Sequence, residues 1–303
     1  MWGRLSAIRA TTDTQEVLSG LECRPASVYT GGAQHNVQRG TYKVIMSMKN
    51  TIFDLTGRVA LVTGGSKGIG HAIARGLAQA GADLFLCSRH ESSLQAAAAA
   101  IRAQSGVRVE CLAADMAVRA EVGRLAEEAV RRLGKVDILV NNAGWNIPQA
   151  IDEIRDEDWQ YLVELNLNNV MVLTRAVVPG MKQRRWGRVI HISSIMALAS
   201  TPKRNAYSAT KAALIGMAHA SALELGPFGI TVNCIAPGPI ATDMPMSILS
   251  REQQDSLAAR TAVGRWGTPD ELVGPALLLA SEAGSYVTGT CLVVDGGALS
   301  RVF

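Results

Sequence analysis

Hydrophobic positions between residues 49 and 303 repeat with two different periods. Short apolar runs, typical of buried strands, alternate with longer stretches in which apolar residues recur every three or four positions, as in amphipathic helices. The first such pair is the run 58–63 and the helical pattern from Gly70 to Ala80, which Gly81 ends. The pattern predicts seven strands, at 58–63, 83–87, 107–112, 136–140, 188–192, 230–235 and 291–294.

Helical patterns lie between these runs, including 91–104, 118–133, 158–181 and 207–225. Strands that alternate with helices form right-handed βαβ units, and these build a parallel sheet covered by helices on both faces. No linker or internal repeat interrupts the alternation. We therefore predict an α/β fold, with one doubly wound domain over residues 49–303 and a seven-stranded parallel sheet.

Residues 1–48 show no such period. They lack the apolar segment of a secretory signal, and their acidic residues spoil the amphipathic helix of a transit peptide, which is a weak alternative. We interpret the segment as a disordered tail or as an upstream extension of the gene model, with the natural start at Met46 or Met48.

Composition and charge narrow the class of protein. The 303 residues are 48% hydrophobic and 18% charged, which is an ordinary globular balance, and a net charge of +4 gives no footprint for nucleic acid. No run of about 18 apolar residues predicts a membrane helix. Five scattered cysteines without a C-x-x-C motif argue against a disulfide framework or a metal site and fit a reducing, cytoplasmic location.

A glycine-rich loop joins the first strand to the first helix, over residues 63–70. Glycines there permit a tight turn and a close approach of the backbone to a pyrophosphate at a helix N-terminus. The spacing T-G-x-x-x-G-x-G differs from the G-x-G-x-x-G fingerprint and from a P-loop, so a purely structural turn is the alternative. The expected cofactor contacts in this loop are Gly64, Ser66, Lys67, Gly68, Ile69 and Gly70.

The end of the second strand indicates which nucleotide binds. NAD-binding proteins place an acid about 20 residues after the glycines, where it accepts bonds from the ribose hydroxyls. This chain has Ser88 there, followed by Arg89. Arg89 and Lys67 suit a 2′-phosphate through charge-assisted hydrogen bonds, unless both are ordinary solvated surface charges. We predict NADP(H) rather than NAD(H).

Three polar residues suggest acid–base chemistry. Tyr207 and Lys211 lie at i and i+4, on one face of a helix. A neighbouring ammonium favours the phenolate of a tyrosine, whose ordinary pKa is near 10. Ser194 follows the strand 188–192, at the edge where open α/β sheets bind ligands. A Tyr-x-x-x-Lys pair alone is common on exposed helices, so the combination carries the prediction.

Together these motifs resemble the short-chain dehydrogenase/reductase superfamily from about Phe53 to Gly297. The ordered set comprises the loop 63–70, Asp115, Asn141-Asn142-Ala143-Gly144, Asn166, Ser194, Tyr207, Lys211 and the stretch 237–242. The resemblance implies a Rossmann-type fold. It also implies that Tyr207 is the catalytic acid or base, that Ser194 hydrogen-bonds the carbonyl oxygen, and that Lys211 lowers the Tyr207 pKa and holds the nicotinamide ribose. Asn166 would fix a helix bend and a water chain.

The resemblance adds further cofactor contacts. Asp115 would contact adenine, Asn142 and Gly144 would line the adenosine and ribose side, and Ile240 and Thr242 would hold the carboxamide. The full added set is Ser88, Arg89, Asp115, Asn142, Ala143, Gly144, Pro237, Gly238, Ile240 and Thr242, with Tyr207 and Lys211.

Candidate substrate contacts follow these motifs. Trp145 comes directly after Gly144, and Met196 follows Ser194. Met244 lies in the segment 239–256, which we expect to be a mobile lid, although its methionines also suit a helix core. We expect His191 to be a core histidine and Ser193 to be structural.

The substrate class is less defined. The chain resembles 3-oxoacyl-[acyl-carrier-protein] reductases, tropinone-reductase-like enzymes and, at 53–57 and 264–269, gluconate 5-dehydrogenases. Carrier-protein enzymes have two arginines beside the mouth of the site; Arg185 matches one, but Phe228 replaces the other, which argues against an acyl carrier protein as partner. The lid also lacks an excess of arginines for a sugar carboxylate. We predict an oxoacyl-reductase-like NADPH carbonyl reductase with a small-molecule substrate, and a sugar-acid dehydrogenase as the alternative.

A rival class is the cofactor-sensing, non-catalytic member of this superfamily. Such proteins typically lack the tyrosine or the lysine, whereas this chain keeps Tyr207 and Lys211. The resemblance also implies a homotetramer, with the helices 158–181 and 207–225 as dimer faces and the segment 293–297 completing the assembly.

Overall fold

All seven apolar runs form strands of one parallel sheet in the computed structural model, which describes residues 52–300. The strand order is β3-β2-β1-β4-β5-β6-β7, so the chain winds outward in both directions from β1 and β4. This confirms the predicted doubly wound α/β fold. The strands are β1 Val59–Thr63, β2 Asp83–Ser88, β3 Val109–Ala113, β4 Ile138–Asn141, β5 Gly187–Ile192, β6 Ile230–Pro237 and β7 Cys291–Val294.

The helices cover both faces of the sheet. They are α1 Gly68–Gln79, α2 Glu91–Ser105, α3 Arg119–Leu133, α4 Asp156–Val163, α5 Asn169–Arg184, α6 Asn205–Leu225, α7 Asp243–Ile248, α8 Arg251–Ala259 and α9 Val273–Ala280. The first helix begins at Gly68, two residues earlier than expected, because the glycine loop itself supplies its first turn. The segment 239–256, expected to be a lid, contains α7 and most of α8.

The prediction of one helix over 158–181 is wrong in one respect. Helices α4 and α5 are separated by a π-helical turn, Glu164–Asn168. The apolar spacing continues through this turn, so the sequence pattern shows no break. A π-helical turn contains one extra residue. This turn carries Asn166, whose contacts are described below with the site.

Alternation along the strands divides the core into two layers. In β1, Val59 and Leu61 pack with the helices α3, α5 and α6, whereas Ala60 and Val62 pack with α1, α2 and α9. All four side chains are at most 2% exposed. A strand buried on both faces explains why the apolar runs are continuous instead of alternating.

The topology brings five strand ends to one edge of the sheet. The order reverses between β1 and β4, and in open α/β sheets the ligand crevice lies outside the carboxyl ends at that point. The glycine loop follows β1, Ser88 ends β2, the Asn142–Gly144 segment follows β4, Ser194 follows β5 and Pro237 ends β6.

Residues 1–48 lie outside the described residues, so their assignment as a separate extension stays a prediction. Within residues 52–300, no helix is both long and apolar enough to span a membrane. The same residues contain no group of three metal-ligating side chains, and the four cysteines among them are free thiols.

Candidate active site

The hydroxyl of Thr63 joins the glycine loop to the segment after β4. Its Oγ1 accepts hydrogen bonds from the backbone N–H groups of Asn142 and Ala143, both at 3.0 Å. In return, the Asn142 amide Nδ2 donates to the carbonyl oxygens of Thr63 at 2.8 Å and Gly64 at 3.3 Å. Asn142 therefore holds the shape of the loop instead of pointing freely at a ligand.

Two glycines of the loop, Gly64 and Gly70, lack the space for a side chain, and a third, Gly68, is closely packed. Gly64 has a φ of +68°, and a Cβ there would lie 2.6 Å from Asn142 Nδ2. A Cβ on Gly70 would clash with the same amide and with the Gly64 carbonyl oxygen. A Cβ on Gly68 would lie 3.3 Å from Cγ2 of Thr242, which places Thr242 against the loop. The predicted loop is thus a tight cradle in front of the α1 N-terminus.

A cavity of about 650 Å³ opens along this edge of the sheet. Twelve predicted cofactor residues and one predicted substrate residue line it: Gly64, Ser66, Lys67, Gly68, Ile69, Ser88, Arg89, Asp115, Asn142, Ala143, Gly144, Thr242 and Trp145. Lining residues that sequence reasoning missed are His90, Ala114, Met116, Tyr161, Leu165, Asp243, Ser247 and Ile248. Four of these flank predicted residues along the chain, and Ser247 and Ile248 lie in the segment 239–256 expected to be a lid. Tyr161 and Leu165 reach the cavity only through the fold.

Three hydrogen-bond donors that line the cavity have no partner among the described residues. The Oγ of Ser88 is buried and has no hydrogen-bond partner among the described residues. Lys67 and Arg89 line the same cavity, and neither forms an ion pair within residues 52–300. Two cations and a hydroxyl without partners form a suitable site for a phosphate group.

Asn166 lies in the π-helical turn and is fully buried. Its Oδ1 accepts the Trp145 N–H at 3.0 Å, and its Nδ2 donates to the Trp145 carbonyl at 2.9 Å and to Thr210 Oγ1 at 3.2 Å. The amide hydrogens of Asn166 are therefore used to clamp the Trp145 backbone against α6. Asn166 lies in the π-helical turn between α4 and α5; its expected role in a helix bend stays a prediction, and the predicted water chain would have to use other atoms than Nδ2.

Ser194 and Tyr207 form a hydroxyl pair beside the end of β5. The Ser194 Oγ accepts the N–H of Met196 at 3.1 Å, and Ser194 lies close enough to the Tyr207 phenol for its hydrogen-bonding capacity to lower the pKa of that phenol. Burial raises the Tyr207 pKa above its ordinary value, against the smaller lowering effects of the Ser194 bond and the Arg204 charge. Without a ligand, this phenol is held in its protonated form.

Lys211 lies below this pair. Its Nζ donates to the Ile192 carbonyl at 2.8 Å and lies 5.7 Å from the centroid of the Tyr207 ring. Burial lowers the Lys211 pKa to about 8. The expected lowering of the Tyr207 pKa by this ammonium stays a prediction; in this structure, burial has the largest effect on the pKa of the phenol.

Gly144 connects the cavity to the catalytic residues. A Cβ on Gly144 would lie 3.1 Å from Asn166 Oδ1 and 3.2 Å from Lys211 Nζ. Because Gly144 also lines the cavity, its missing side chain leaves the ammonium close to whatever the cavity holds. The fold thus brings Asn166 and Lys211 together at one wall of the cavity.

Other predicted residues, like the four predicted catalytic residues, are not among those that line the cavity. Gly70 is behind the loop, Gly238 is packed against the Asp295 backbone, and Ile240 is 8% exposed and bridged to Gly267. Pro237 ends β6, and Met196 contacts Ser194 through its backbone. Met244 is in α7, and its side chain is outside the described part of the structure. Their contacts with a ligand stay predictions.

The two positions considered for a carrier protein lie elsewhere in the chain's fold. Arg185 comes just before β5 and Phe228 just before β6, and the Arg185 guanidinium donates to the Pro227 carbonyl at 2.8 Å. Because the strands are parallel, this is the edge of the sheet opposite to Ser194. The expectation that both positions flank the mouth is wrong within a single chain.

His191 is a core histidine, as expected. It is fully buried on β5, its Nδ1 lies 3.1 Å from the Asn141 amide nitrogen, and its Nε2 has no partner among the described residues. Burial, with a smaller effect of the Lys211 charge, lowers the His191 pKa to about 4. The imidazole is therefore neutral at physiological pH.

The lowered pKa of His191 predicts that the free energy of unfolding falls at acid pH. The folded pKa is about 4 and the ordinary value is 6.5, so the unfolded chain binds the proton first as the pH falls. Stability from the neutral imidazole is present above pH 6.5 and is lost toward pH 4, by about 3 kcal/mol in total. Urea unfolding at several pH values should show that His191→Asn removes this slope and that His219→Asn, on the exposed side of α6, keeps it. An equal slope in both variants would contradict the assignment.

Known proteins share this architecture. A family model described as enoyl-(acyl carrier protein) reductase matches residues 64–298. Gluconate 5-dehydrogenase from Gluconobacter oxydans (strain 621H) is 37% identical over 247 residues, which are 81% of this chain and 96% of the relative.

Two solved structures are similarly close. A 3-oxoacyl-(acyl-carrier-protein) reductase from Agrobacterium tumefaciens C58 with NADP bound is 37% identical, with a TM-score of 0.78, over 82% of this chain and 98% of that one. A gluconate 5-dehydrogenase from Burkholderia cenocepacia J2315 in complex with NADP and tartrate gives the same identity, TM-score and coverage. With the parallel sheet, the glycine cradle and the Ser194–Tyr207 pair, these matches show that the chain belongs to the short-chain dehydrogenase/reductase family of oxidoreductases.

Proposed function

We propose that this protein is an NADP(H)-dependent oxidoreductase that transfers hydride between the nicotinamide and a ketone or secondary alcohol. The observation that carries the proposal is the neighbouring Ser194 and Tyr207 hydroxyls, with Lys211 Nζ 5.7 Å from the Tyr207 ring and behind Gly144, which lines a cavity large enough for a cofactor. This pair supplies a proton donor and a second hydroxyl for one carbonyl oxygen.

The residues present fit a dinucleotide phosphate. At Gly64 and Gly70, the glycine loop before α1 has no room for a side chain. Such a loop suits a pyrophosphate held by backbone N–H groups. The Ser88 hydroxyl without a partner and the cations Lys67 and Arg89 suit a 2′-phosphate. Relatives solved with NADP bound support the same assignment.

The protein's own contribution is proton transfer and orientation. A bound nicotinamide supplies the hydride. Tyr207 donates its hydroxyl proton to the carbonyl oxygen during reduction, and takes a proton back during oxidation. Burial keeps the phenol protonated, which suits the reductive direction. The Ser194 hydroxyl orients the carbonyl oxygen toward Tyr207, and the Lys211 ammonium holds a positive charge behind Gly144.

A substrate screen tests the activity. NADPH oxidation would be followed with 3-oxoacyl thioesters, keto sugar acids and cyclic ketones as separate classes, and NADP⁺ reduction with the corresponding alcohols. Turnover of any class supports the proposal, and turnover of acyl thioesters above the other two supports the oxoacyl-reductase type. NADPH binding without oxidation of any ketone would instead identify a cofactor-sensing protein.

The cofactor preference is expected to depend on two cations. Lys67→Gln combined with Arg89→Gln should weaken NADPH binding about 10- to 100-fold and leave NADH binding within about twofold, because a charge-assisted bond to phosphate contributes about 1.5–3 kcal/mol. Fluorescence titration of both nucleotides measures the effect. Arg119→Gln, an exposed arginine on α3, is the matched charge control. Tighter binding of NADH than NADPH by the wild type would refute the NADP assignment.

We also propose a homotetramer in the cytoplasm. Large apolar side chains are exposed on α6 and near the last strand, with Leu223 at 82% and Val293 at 37%. Exposed apolar side chains on elements that the family resemblance assigns to subunit contacts support the assembly. A tetramer mass by light scattering is expected, and a monomer mass would refute it.

A further inference from the structure

Arg204 stands at the start of the catalytic helix. It is the N-cap residue of α6, half-buried, and lies three residues before Tyr207 and seven before Lys211. Its guanidinium forms no ion pair or hydrogen bond with any other residue that the structure describes. Half-buried arginines normally have a carboxylate or carbonyl partner, because desolvating an unpaired charge is costly.

The backbone of Arg204 pairs with the loop that leaves the cavity at Trp145. Arg204 forms a β-bridge with Gln149, and the Gln149 N–H donates to the Lys203 carbonyl at 3.2 Å. Gln149 ends the short loop that begins at Trp145, which lines the cavity. The loop 145–149 therefore meets the chain at Lys203 and Arg204, directly before the helix that carries Tyr207.

Contacts with Asp158 hold the end of this loop, at Gln149, in place. The Gln149 amide donates to Asp158 at 2.7 Å, and Arg155 pairs with the same carboxylate at 2.6 Å. Asp158 is thus neutralised by Arg155 and does not serve as a partner for Arg204. The positive charge of Arg204 also acts on the Tyr207 phenol, lowering its pKa, so the guanidinium is within electrostatic reach of the reacting hydroxyl.

We propose that Arg204 determines specificity by binding a carboxylate of the substrate, so that the enzyme acts on keto acids and the corresponding hydroxy acids. The proposal rests on the function proposed above and assigns the substrate class of the same site. A guanidinium matches the two oxygens of a carboxylate with paired hydrogen bonds. Arg204 therefore supplies a cation from outside the lid segment, which has no excess of arginines. An acyl thioester, which carries no charge near its ketone, leaves Arg204 without a partner.

The test compares charged and neutral forms of the same ketones. The 3-, 4- and 5-oxohexanoates and their methyl esters place a carboxylate or an uncharged ester at three distances from the carbonyl. We expect the wild type to have a higher kcat/KM for at least one acid than for its ester. Arg204→Gln should lower this acid-to-ester ratio about 10- to 100-fold. Lys203→Gln is the matched control, since Lys203 is exposed and next in sequence, and should keep the ratio.

The outcomes separate the two proposals. Two results would overturn the role of Arg204 and leave the oxidoreductase assignment standing. In one, the wild type reduces the esters with the same kcat/KM as the acids. In the other, Arg204→Gln leaves the acid-to-ester ratio unchanged. If neither acids nor esters are reduced, calorimetric titration of NADP⁺-loaded protein with the three oxohexanoates decides. Binding that Arg204→Gln weakens at least about tenfold supports the carboxylate site, while equal binding, or none by the wild type, overturns it.

Discussion

Tyr207→Phe is expected to lower kcat for ketone reduction about 1,000-fold while NADPH binding stays within about twofold. The substitution removes the proton donor and leaves the ring, which fills the same half-buried space. The Ser194 hydroxyl stays in place through its bond from the Met196 N–H, but it would be a far weaker acid for the carbonyl oxygen. Steady-state kinetics with the best ketone, together with fluorescence titration of NADPH, measures both quantities.

The matched control is Tyr286→Phe. Tyr286 is fully exposed, so losing its hydroxyl should leave kcat unchanged. Activity retained in Tyr207→Phe would show that the proton comes from another group and would overturn the mechanism. A loss of NADPH binding together with activity would instead indicate a role for Tyr207 in holding the cofactor.

The fold could be predicted from sequence because its signals are local. A strand such as β1, buried on both faces, must be apolar throughout, and a helix such as α3 must have one apolar face. The π-helical turn at 164–168 could not be predicted in this way. Its backbone is set by the contacts of Asn166 with Trp145 and Thr210, which are distant in sequence.

The residues of the site also fall into two groups, those that local sequence signals predict and those that depend on how distant elements pack. Residues at strand ends, such as Ser88 and Ser194, could be placed because parallel strands present their carboxyl ends at one edge. Tyr161 and Leu165 were missed because their approach to the cavity depends on how α4 and the π-turn pack. The true environment of Lys211 was also not predictable, since the carbonyl that accepts its hydrogen bond belongs to Ile192 on a neighbouring strand.

The glycine cradle makes a second strong prediction. Gly70→Ala is expected to weaken NADPH binding at least about tenfold and to lower the free energy of unfolding by about 1–3 kcal/mol. The added methyl group would clash with the Asn142 amide and with the Gly64 carbonyl. The same amide nitrogen donates to the Thr63 and Gly64 carbonyls, so moving it loosens the whole loop. Urea unfolding and NADPH titration measure the two effects.

Gly123→Ala separates this clash from the general effect of adding a methyl group to a helix. Gly123 is inside α3, and a Cβ there meets no atom within 4 Å. Alanine at an uncrowded helical position is more favourable than glycine by about 1 kcal/mol, so this variant should be slightly more stable and bind NADPH normally. Since both positions are helical, only crowding distinguishes them. Equal behaviour of the two variants would mean that the loop can open around a side chain at position 70, and that the Asn142 contacts do not set its shape.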